Sequence, residues 1–516
     1  MLRRLTRPAW LGLGAIIMLV AIGVAAFGVG LGFESTVVSA QTEDAEAGRQ
    51  VYEQHCTGCH GVEGDGAGAA ADFLHPRPRD FRRGLYKVRT TGSGALPTDD
   101  DLFSIIGAGM PGTAMPGWSE ILTDQERRDV AAYIKTFSRR FGRGDPPVSI
   151  SIGDPIDSSE SSIATGRELF FGPLECFKCH GQEGRGDGPS ALELEDDSDF
   201  TIFPADLTKN WNFRGGGTSE DIARTFLTGL LGTPMPSYEG QMSEAESWHL
   251  ANFVRSLSPP EQPEVQSLFT ATRVDGALPA SPDSGEWSQS EDFYFPMLGQ
   301  ITQAPRNFTP TIDSVTGRAL FDDDQIAILL TWNDRSQNVA AEGELTVDAA
   351  AVQFPAKASD DAELPNFLQG NAGNSVNLWS WRADAQAPVE VNATGLGTDR
   401  VQDAASQSLA GQAVFADGQW KLVLRRSLLT DDDSQDVQVE TDRFIPIAFS
   451  AWDGQNGDDG SRRSVSAWYQ LYLDSPTTVV TWLKVPAWMA VVAVIEAGIL
   501  WWVWRRQRLA EAQTSE

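Results

Sequence analysis

Apolar positions along the chain follow three regimes. In two acidic segments they recur at helical spacing. Val130, Tyr133, Ile134 and Phe137 share one face between Asp124 and Phe137, and Trp248, Leu250, Phe253, Val254 and Leu257 share one between Glu244 and Leu257. Beyond Pro263 the helical period gives way to short runs rich in Val, Ile, Phe and Trp, broken by Gly, Asp, Asn and Pro. The clearest predicted strands are Ile326–Trp332, Val376–Trp381, Trp420–Leu424 and Ile445–Phe449. Roughly 200 residues of such strands without helical periods suggest an all-β sandwich. The third regime is continuous apolarity near the two ends, from Trp10 to Phe33 and from Val485 to Trp504.

Both end segments are long enough to cross a bilayer as helices. The first follows Arg3, Arg4 and Arg7 and precedes Val38-Ser39-Ala40, which fits a cleavage site, so residues 1–40 read as either a signal peptide or an N-terminal transmembrane anchor. The second, 485–504, ends in Trp501, Trp502 and Trp504 followed by Arg505, Arg506 and Arg508, an aromatic belt and a cytoplasmic basic cluster. That orientation places everything between the two segments outside the cytoplasm, on the cell membrane. At 516 residues and roughly 150 per domain the chain holds three or four domains. Its formal net charge of −31 repels phosphate backbones, so nucleic acid is not a partner.

The four cysteines form an internal repeat. Cys56-Thr57-Gly58-Cys59-His60 and Cys176-Phe177-Lys178-Cys179-His180 stand 120 residues apart, and the same offset carries Met115 onto Met235 within Gly-Thr-x-Met-Pro. Pro146-Pro147 and the serines around Ser158–Ser162 separate the repeats, and Pro259, Pro260 and Pro263 mark the exit from the second. The predicted order is therefore a first helical domain over 44–140, a second over 165–257, a strand domain over 263–474 and the C-terminal helix.

In C-x-x-C-H two thiols form thioethers to one haem and the adjacent histidine lies under its iron. A redox disulfide or half a zinc site would give no reason for a histidine after each pair. The sequence thus predicts two covalently bound haem c groups, on Cys56 and Cys59 and on Cys176 and Cys179, with His60 and His180 as iron ligands. Methionine thioether opposite histidine gives a relatively high potential suited to electron transfer, and Met115 and Met235 are the candidates. Met110 and Met242 lack counterparts under the 120-residue shift and read as packing residues, as His55, His75 and His249 read as surface or satisfied histidines. Lys87 and Arg89 read as a solvated basic face, with pairing to haem propionates as the alternative.

These two units resemble class I cytochrome c domains, on Cys56, Cys59, His60 and Met115 and on Cys176, Cys179, His180 and Met235; the resemblance implies a small helical bundle around each haem. The strand domain resembles the haem-binding γ subunits found with ethylbenzene dehydrogenase and related type II dimethyl sulfoxide reductase-like molybdoenzymes. The resemblance rests on Leu329-Leu330-Thr331-Trp332-Asn333-Asp334, Ala351-Val352-Gln353-Phe354-Pro355, Val376-Asn377-Leu378-Trp379-Ser380-Trp381, Ala448-Phe449-Ser450-Ala451-Trp452-Asp453-Gly454 and Ser464-Val465-Ser466-Ala467-Trp468. It implies a β-sandwich with one haem b between a methionine and a lysine. Here Gln369 stands where the methionine is expected, Lys357 and Lys421 are the domain's only lysines, and Arg463 lies near the lysine's place. A guanidinium cannot replace an amine as ligand. The expectation is a domain that binds a third, b-type haem weakly or not at all, unless Met297 or Lys421 is recruited from another strand.

The predicted function is a membrane-anchored dihaem electron-transfer subunit rather than a catalytic one, with no catalytic residue of its own. By resemblance its partners are a molybdoenzyme-type catalytic subunit and an iron–sulfur subunit, and it exchanges electrons with other respiratory carriers. A stand-alone haem oxidoreductase is the alternative, and it requires an open iron or a nearby acid and base. A docking subunit whose last domain binds no haem is a further one.

Overall fold

The computed structural model describes residues 43–357, 363–474 and 479–513; the predicted N-terminal segment 1–40 lies outside them. The first helical unit comprises α1 (Ala45–His55), α2 (Thr57–His60), α3 (Asp99–Ala108) and α4 (Asp124–Thr136). The second repeats it as α5 (Glu160–Phe171), α6 (Phe177–His180), α7 (Ser219–Thr228) and α8 (Glu244–Ser256). Local chemistry fixes the starts of the later helices in each unit. Reciprocal capping pairs Thr98 with Asp101 and Thr123 with Glu126 in the first unit, and Thr218 with Asp221 and Ser243 with Glu246 in the second.

The first and last helices of each unit cross at a glycine. A Cβ on Gly48 would stand 1.9 Å from the Asp129 carbonyl oxygen, and one on Gly166 would stand 2.0 Å from that of His249. Only hydrogen fits at those crossings, so the helices approach closely enough for the aromatic residue one turn on to fill the gap behind them. In the first unit that residue is Tyr52, buried 5.1 Å from Phe137 and 5.4 Å from Tyr133. In the second it is Phe170, 5.3 Å from Phe253.

The strand domain contains β1 (Leu268–Arg273), β2 (Phe293–Pro296), β3 (Leu298–Gly299), β4 (Ser314–Phe321), β5 (Gln325–Asn333), β6 (Ala349–Pro355) and β7 (Val376–Arg382). It continues with β8 (Val389–Ala393), β9 (Arg400–Val401), β10 (Ala410–Ala416), β11 (Gln419–Ser427), β12 (Phe444–Trp452), β13 (Ser464–Val465) and β14 (Tyr469–Leu473). Among the described residues they hydrogen-bond in the order β10-β11-β5-β4-β1-β14-β12-β6-β7-β8-β9, with β2 beside β4, β13 beside β12 and β3 beside β13. This differs from a sandwich of two separate sheets: the path is continuous and mixed, since β1 runs parallel to both β4 and β14. It folds over so that β5 and β11 face β7, with Trp332 and Trp381 at 6.1 Å and Trp381 and Trp420 at 4.8 Å between ring centroids.

The strand sequences lack simple alternation because both faces are covered. On β5, Ile326, Ile328, Leu330 and Trp332 enter the central core, while Ala327 and Leu329 pack with Leu278 and Trp287 from the segment before β2. A strand buried on both faces reads as a continuous apolar run. After the strands, α9 (Val479–Gln513) includes Trp488–Arg506, a 19-residue stretch of mean hydropathy 1.4 that is long and apolar enough to cross a membrane.

Gly48→Ala forces the α1–α4 crossing apart and is expected to destabilise the first unit by about 1–3 kcal/mol. Thermal melting followed by Soret circular dichroism checks it; an unchanged first-unit transition would contradict the close crossing.

Candidate functional site

The structure carries the repeat down to individual hydrogen bonds. Each histidine of a C-x-x-C-H motif ends a single helical turn, and its Nδ1 lies 3.1 Å from a backbone carbonyl oxygen, Arg79 for His60 and Ala205 for His180. With Nδ1 donating to that carbonyl, Nε2 is left unprotonated and directed elsewhere, which is the tautomer a metal requires. Burial lowers the proton affinity of both imidazoles, which keeps them neutral. Burial likewise pushes the Cys56 and Cys176 thiols up to about 11.

The carbonyl partners were not legible from the 120-residue shift. They sit in Pro78-Arg79-Asp80-Phe81 and Pro204-Ala205-Asp206-Leu207, which are 126 residues apart because the second unit holds six more residues between motif and carbonyl. The shared signal is proline, any residue, aspartate, apolar residue. It is anchored the same way in both units: Phe81 donates its amide to the Gly64 carbonyl at 2.7 Å, and Leu207 donates to Gly184 at 2.6 Å.

Met115 and Met235 occupy identical loops. Met115 N–H donates to Thr113 Oγ1 at 3.2 Å, Thr113 Oγ1 donates to the Met110 carbonyl at 2.8 Å, and Met110 N–H returns to the Met115 carbonyl at 3.1 Å. In the second unit Met235, Thr233 and Leu230 make the same three bonds at 3.3, 2.7 and 3.2 Å. Met110 is thus replaced by leucine in the equivalent loop, consistent with packing, and both methionines proposed as ligands are half-buried. Among the other histidines, His249 Nδ1 hydrogen-bonds Ser162 Oγ at 2.8 Å and His55 lies against Trp118 with centroids 5.1 Å apart.

Between the two units lies a half-buried group of cations, Arg79, Lys87 and Arg214, with the exposed His75 beside it. Burial first, then Arg79 and Arg214, push the Lys87 ammonium down to about 8. Burial, then Arg214 and Lys87, lower His75, and burial, then Arg79, lowers Arg214. The buried Tyr86 hydroxyl beside them has no hydrogen-bond partner. Among the described residues these cations form no ion pair, although Asp196 and Asp197 lie near enough to act on Arg79 and Lys87; with the orphaned hydroxyl they fit the carboxylates of a haem edge, so the residues present fit haem c. The expectation of a solvated basic face is corrected here. Lys87 belongs to this group, whereas Arg89 is 2% exposed and donates to the Thr228 carbonyl at 2.7 Å, Gly229 at 3.4 Å and Tyr86 at 3.0 Å. It caps the end of α7, where the Met235 loop begins.

Among the described residues the strand domain brings no methionine and lysine together for iron. Gln369 is buried in left-handed backbone with φ 64°, and its Nε2 donates to Asp399 Oδ1 at 2.5 Å. Arg463 is buried, faces the Trp452 ring at 5.0 Å and is pushed down to about 10 by burial, with Asp399 opposing. Met297 is packed into the central core, Lys421 pairs with Asp283 at 2.8 Å and Lys357 is exposed. These residues do not fit a haem held between methionine and lysine.

Residues 45–138 and 163–258 match the Cytochrome c family, and residues 284–410 match the Ethylbenzene dehydrogenase family. The chain is 29% identical over 215 residues to the chlorate reductase subunit gamma of Ideonella dechloratans, covering 40% of this chain and 86% of that one. It is 28% identical over 192 residues to a protein of Haloferax mediterranei described as a respiratory nitrate reductase haem subunit, covering 37% and 67%. It is also 30% identical over 97 residues to cytochrome c of Tetrahymena pyriformis, covering 18% of this chain and 88% of that protein.

Arg89→Ala leaves the Thr228 carbonyl without its charged donor and is expected to cost about 2–4 kcal/mol in the packing of the first unit on the second. Limited proteolysis reads it as faster cleavage between residues 139 and 159, with Arg89→Lys intermediate; unchanged cleavage would contradict the pinning role.

Proposed function

The chain belongs to the cytochrome c family through its two haem units, with an ethylbenzene dehydrogenase-type domain behind them, and from that premise we propose that it is the electron-transfer subunit of a membrane-bound oxidoreductase complex. The observation that carries the proposal is the duplicated site, in which a carbonyl-oriented histidine and a threonine-braced methionine recur with the same bonds. Haem c bound there supplies one-electron chemistry at a relatively high potential. Cys56, Cys59, Cys176 and Cys179 would attach the two groups, and His60 with Met115 and His180 with Met235 would be the protein ligands to their irons. Two protein ligands to each iron would leave no site for substrate, which favours a carrier over a stand-alone haem enzyme.

The catalytic partner is a molybdenum oxidoreductase, a reading supported by relatives named as subunits of a chlorate reductase and a nitrate reductase. An iron–sulfur subunit beside it follows from the resemblance of the strand domain. That domain docks rather than conducts, a reading supported by Gln369, which stands where the resemblance expects a methionine and is tied to Asp399. The helix Val479–Gln513 anchors the chain, with Arg505, Arg506 and Arg508 on the cytoplasmic side and the haem units outside, a placement that follows the basic-cluster rule.

Replacing Cys56 and Cys59 together by alanine should reduce covalent haem from two per chain to one by denaturing haem stain and mass, and the Cys176, Cys179 pair should do the same. An unchanged count would remove the proposal. Axial ligands span about 0.8 V of haem potential, so Met115→Ala and Met235→Ala should each lower one midpoint by on the order of 0.1 V and weaken the sulfur-to-iron absorption band. Unshifted potentials would return the ligand assignment to His55, His75 or His249. Acid-acetone extraction should recover no stoichiometric haem from the strand domain.

A further inference from the structure

Away from the haem units, three buried carboxylates converge at one end of the folded sheet. Asp334 follows β5, Asp348 precedes β6 and Asp453 follows β12, and one carboxylate oxygen from each lies within 4.8 Å of the others. All three are nearly inaccessible, Asp348 at 0% exposure. The three come from both halves of the sheet, so the cluster sits where the two halves must be held together.

The loops around them are arranged to aim the carboxylates rather than to neutralise them. Asp348 accepts from Gly454 N–H at 2.8 Å, Asn338 N–H at 2.7 Å and Trp420 Nε1 at 3.0 Å. Asp453 accepts from Thr311 Oγ1 at 2.5 Å and Gln455 N–H at 2.8 Å. Asp334 takes Ser336 N–H on one oxygen at 3.2 Å, and its other oxygen is buried with no hydrogen-bond partner among the described residues. Asp458, also buried, adds a fourth carboxylate next to Asp453 and takes Arg462 at 3.3 Å. Arg335, next in sequence to Asp334, lies over the Phe203 ring of the second haem unit at 4.6 Å instead of turning back to the cluster.

We propose that Asp334, Asp348 and Asp453 bind a divalent cation of the calcium class, with the unpartnered Asp334 oxygen as its most open ligand. The donors are all hard oxygens, and their negative charges, crowded and buried, are stabilised together only by a concentrated positive charge. Magnesium retains several waters in most sites, whereas calcium accepts a dry shell of six to eight protein oxygens in irregular geometry, which suits a buried cluster. The bound ion staples β5 to β6 and β12. It also stiffens the rim that meets the second haem unit, where Asn333 Nδ2 donates to Asp206 Oδ2 at 2.6 Å and Arg335 covers Phe203. Asp206 is the neighbour of Ala205, whose carbonyl orients His180. The ion therefore supports the seating of that unit from outside its haem pocket.

The test uses the full-length protein stripped with EDTA and dialysed against radiolabelled calcium. One calcium per chain is expected, and a higher melting temperature with calcium than with EDTA. Loss of an outer-sphere partner already costs a metal site about 10- to 100-fold in affinity, so Asp334→Asn and Asp453→Asn should each weaken binding by about tenfold or more. Their haem absorption should stay unchanged, as a control on folding. No bound calcium in the wild type overturns the proposal, as does undiminished binding in both variants. Should the variants fail to fold, wild-type crystals soaked in a lanthanide decide it. An anomalous peak between the three carboxylates supports the site, and a peak only elsewhere, or none, rejects it.

Discussion

A buried cation in each haem unit joins the domains in series. Arg89 of the first haem unit reaches into the second, and Lys209 reaches from the second into the strand domain. There it pairs with Asp313 and donates to Ser314 Oγ at 3.0 Å. Burial works against the Lys209 ammonium, but Asp313 and Asp206 outweigh it and raise its pKa. An unpaired charge so placed would be expensive, so each contact specifies its partner surface as well as holding it. Electron transfer falls steeply with distance, and a carrier with two haems depends on how firmly its units are seated. The Arg89 contact has the further effect of fixing the carbonyls at the start of the Met235 loop.

The haem units show how little protein is needed to define such a site. One carbonyl selects the histidine tautomer, one threonine braces the methionine loop and one glycine lets two helices cross. Arg83 of the first unit meets Asp197 of the second at 2.6 Å, and Arg77 lies over the Phe200 ring at 4.6 Å, so further contacts close around the cationic group between them. In a chain of net charge −31, that group gathers cations between the two units with only Asp196 and Asp197 acting against their charge. The strand domain took another course. Gln369 is tied to Asp399, Arg463 is buried against Trp452, and the core is closed by Trp332, Trp379 and Trp381, so the domain keeps its shape through packing.

The sequence alone determined the chemistry and most of the elements. C-x-x-C-H and the methionine at a constant offset are local patterns, set by covalent attachment and by a short loop, and such patterns survive in one dimension. The predicted helices ending at Phe137 and Leu257 and the strands around Trp332, Trp379, Trp420 and Phe449 coincide with observed elements to within a few residues, because amphipathic period and strand composition are also local. What only the tertiary structure decided involves residues distant in sequence. The carbonyls behind His60 and His180 escaped a fixed offset because of a six-residue difference in loop length. Lys87 and Arg89, two residues apart and alike in charge, separate into a member of the cationic group and a pin between units, since their places depend on what the neighbouring unit presents. Parallel pairing of β1 with β4 and β14, and the meeting of Asp334, Asp348 and Asp453, are likewise consequences of how the sheet folds over, which no local spacing encodes.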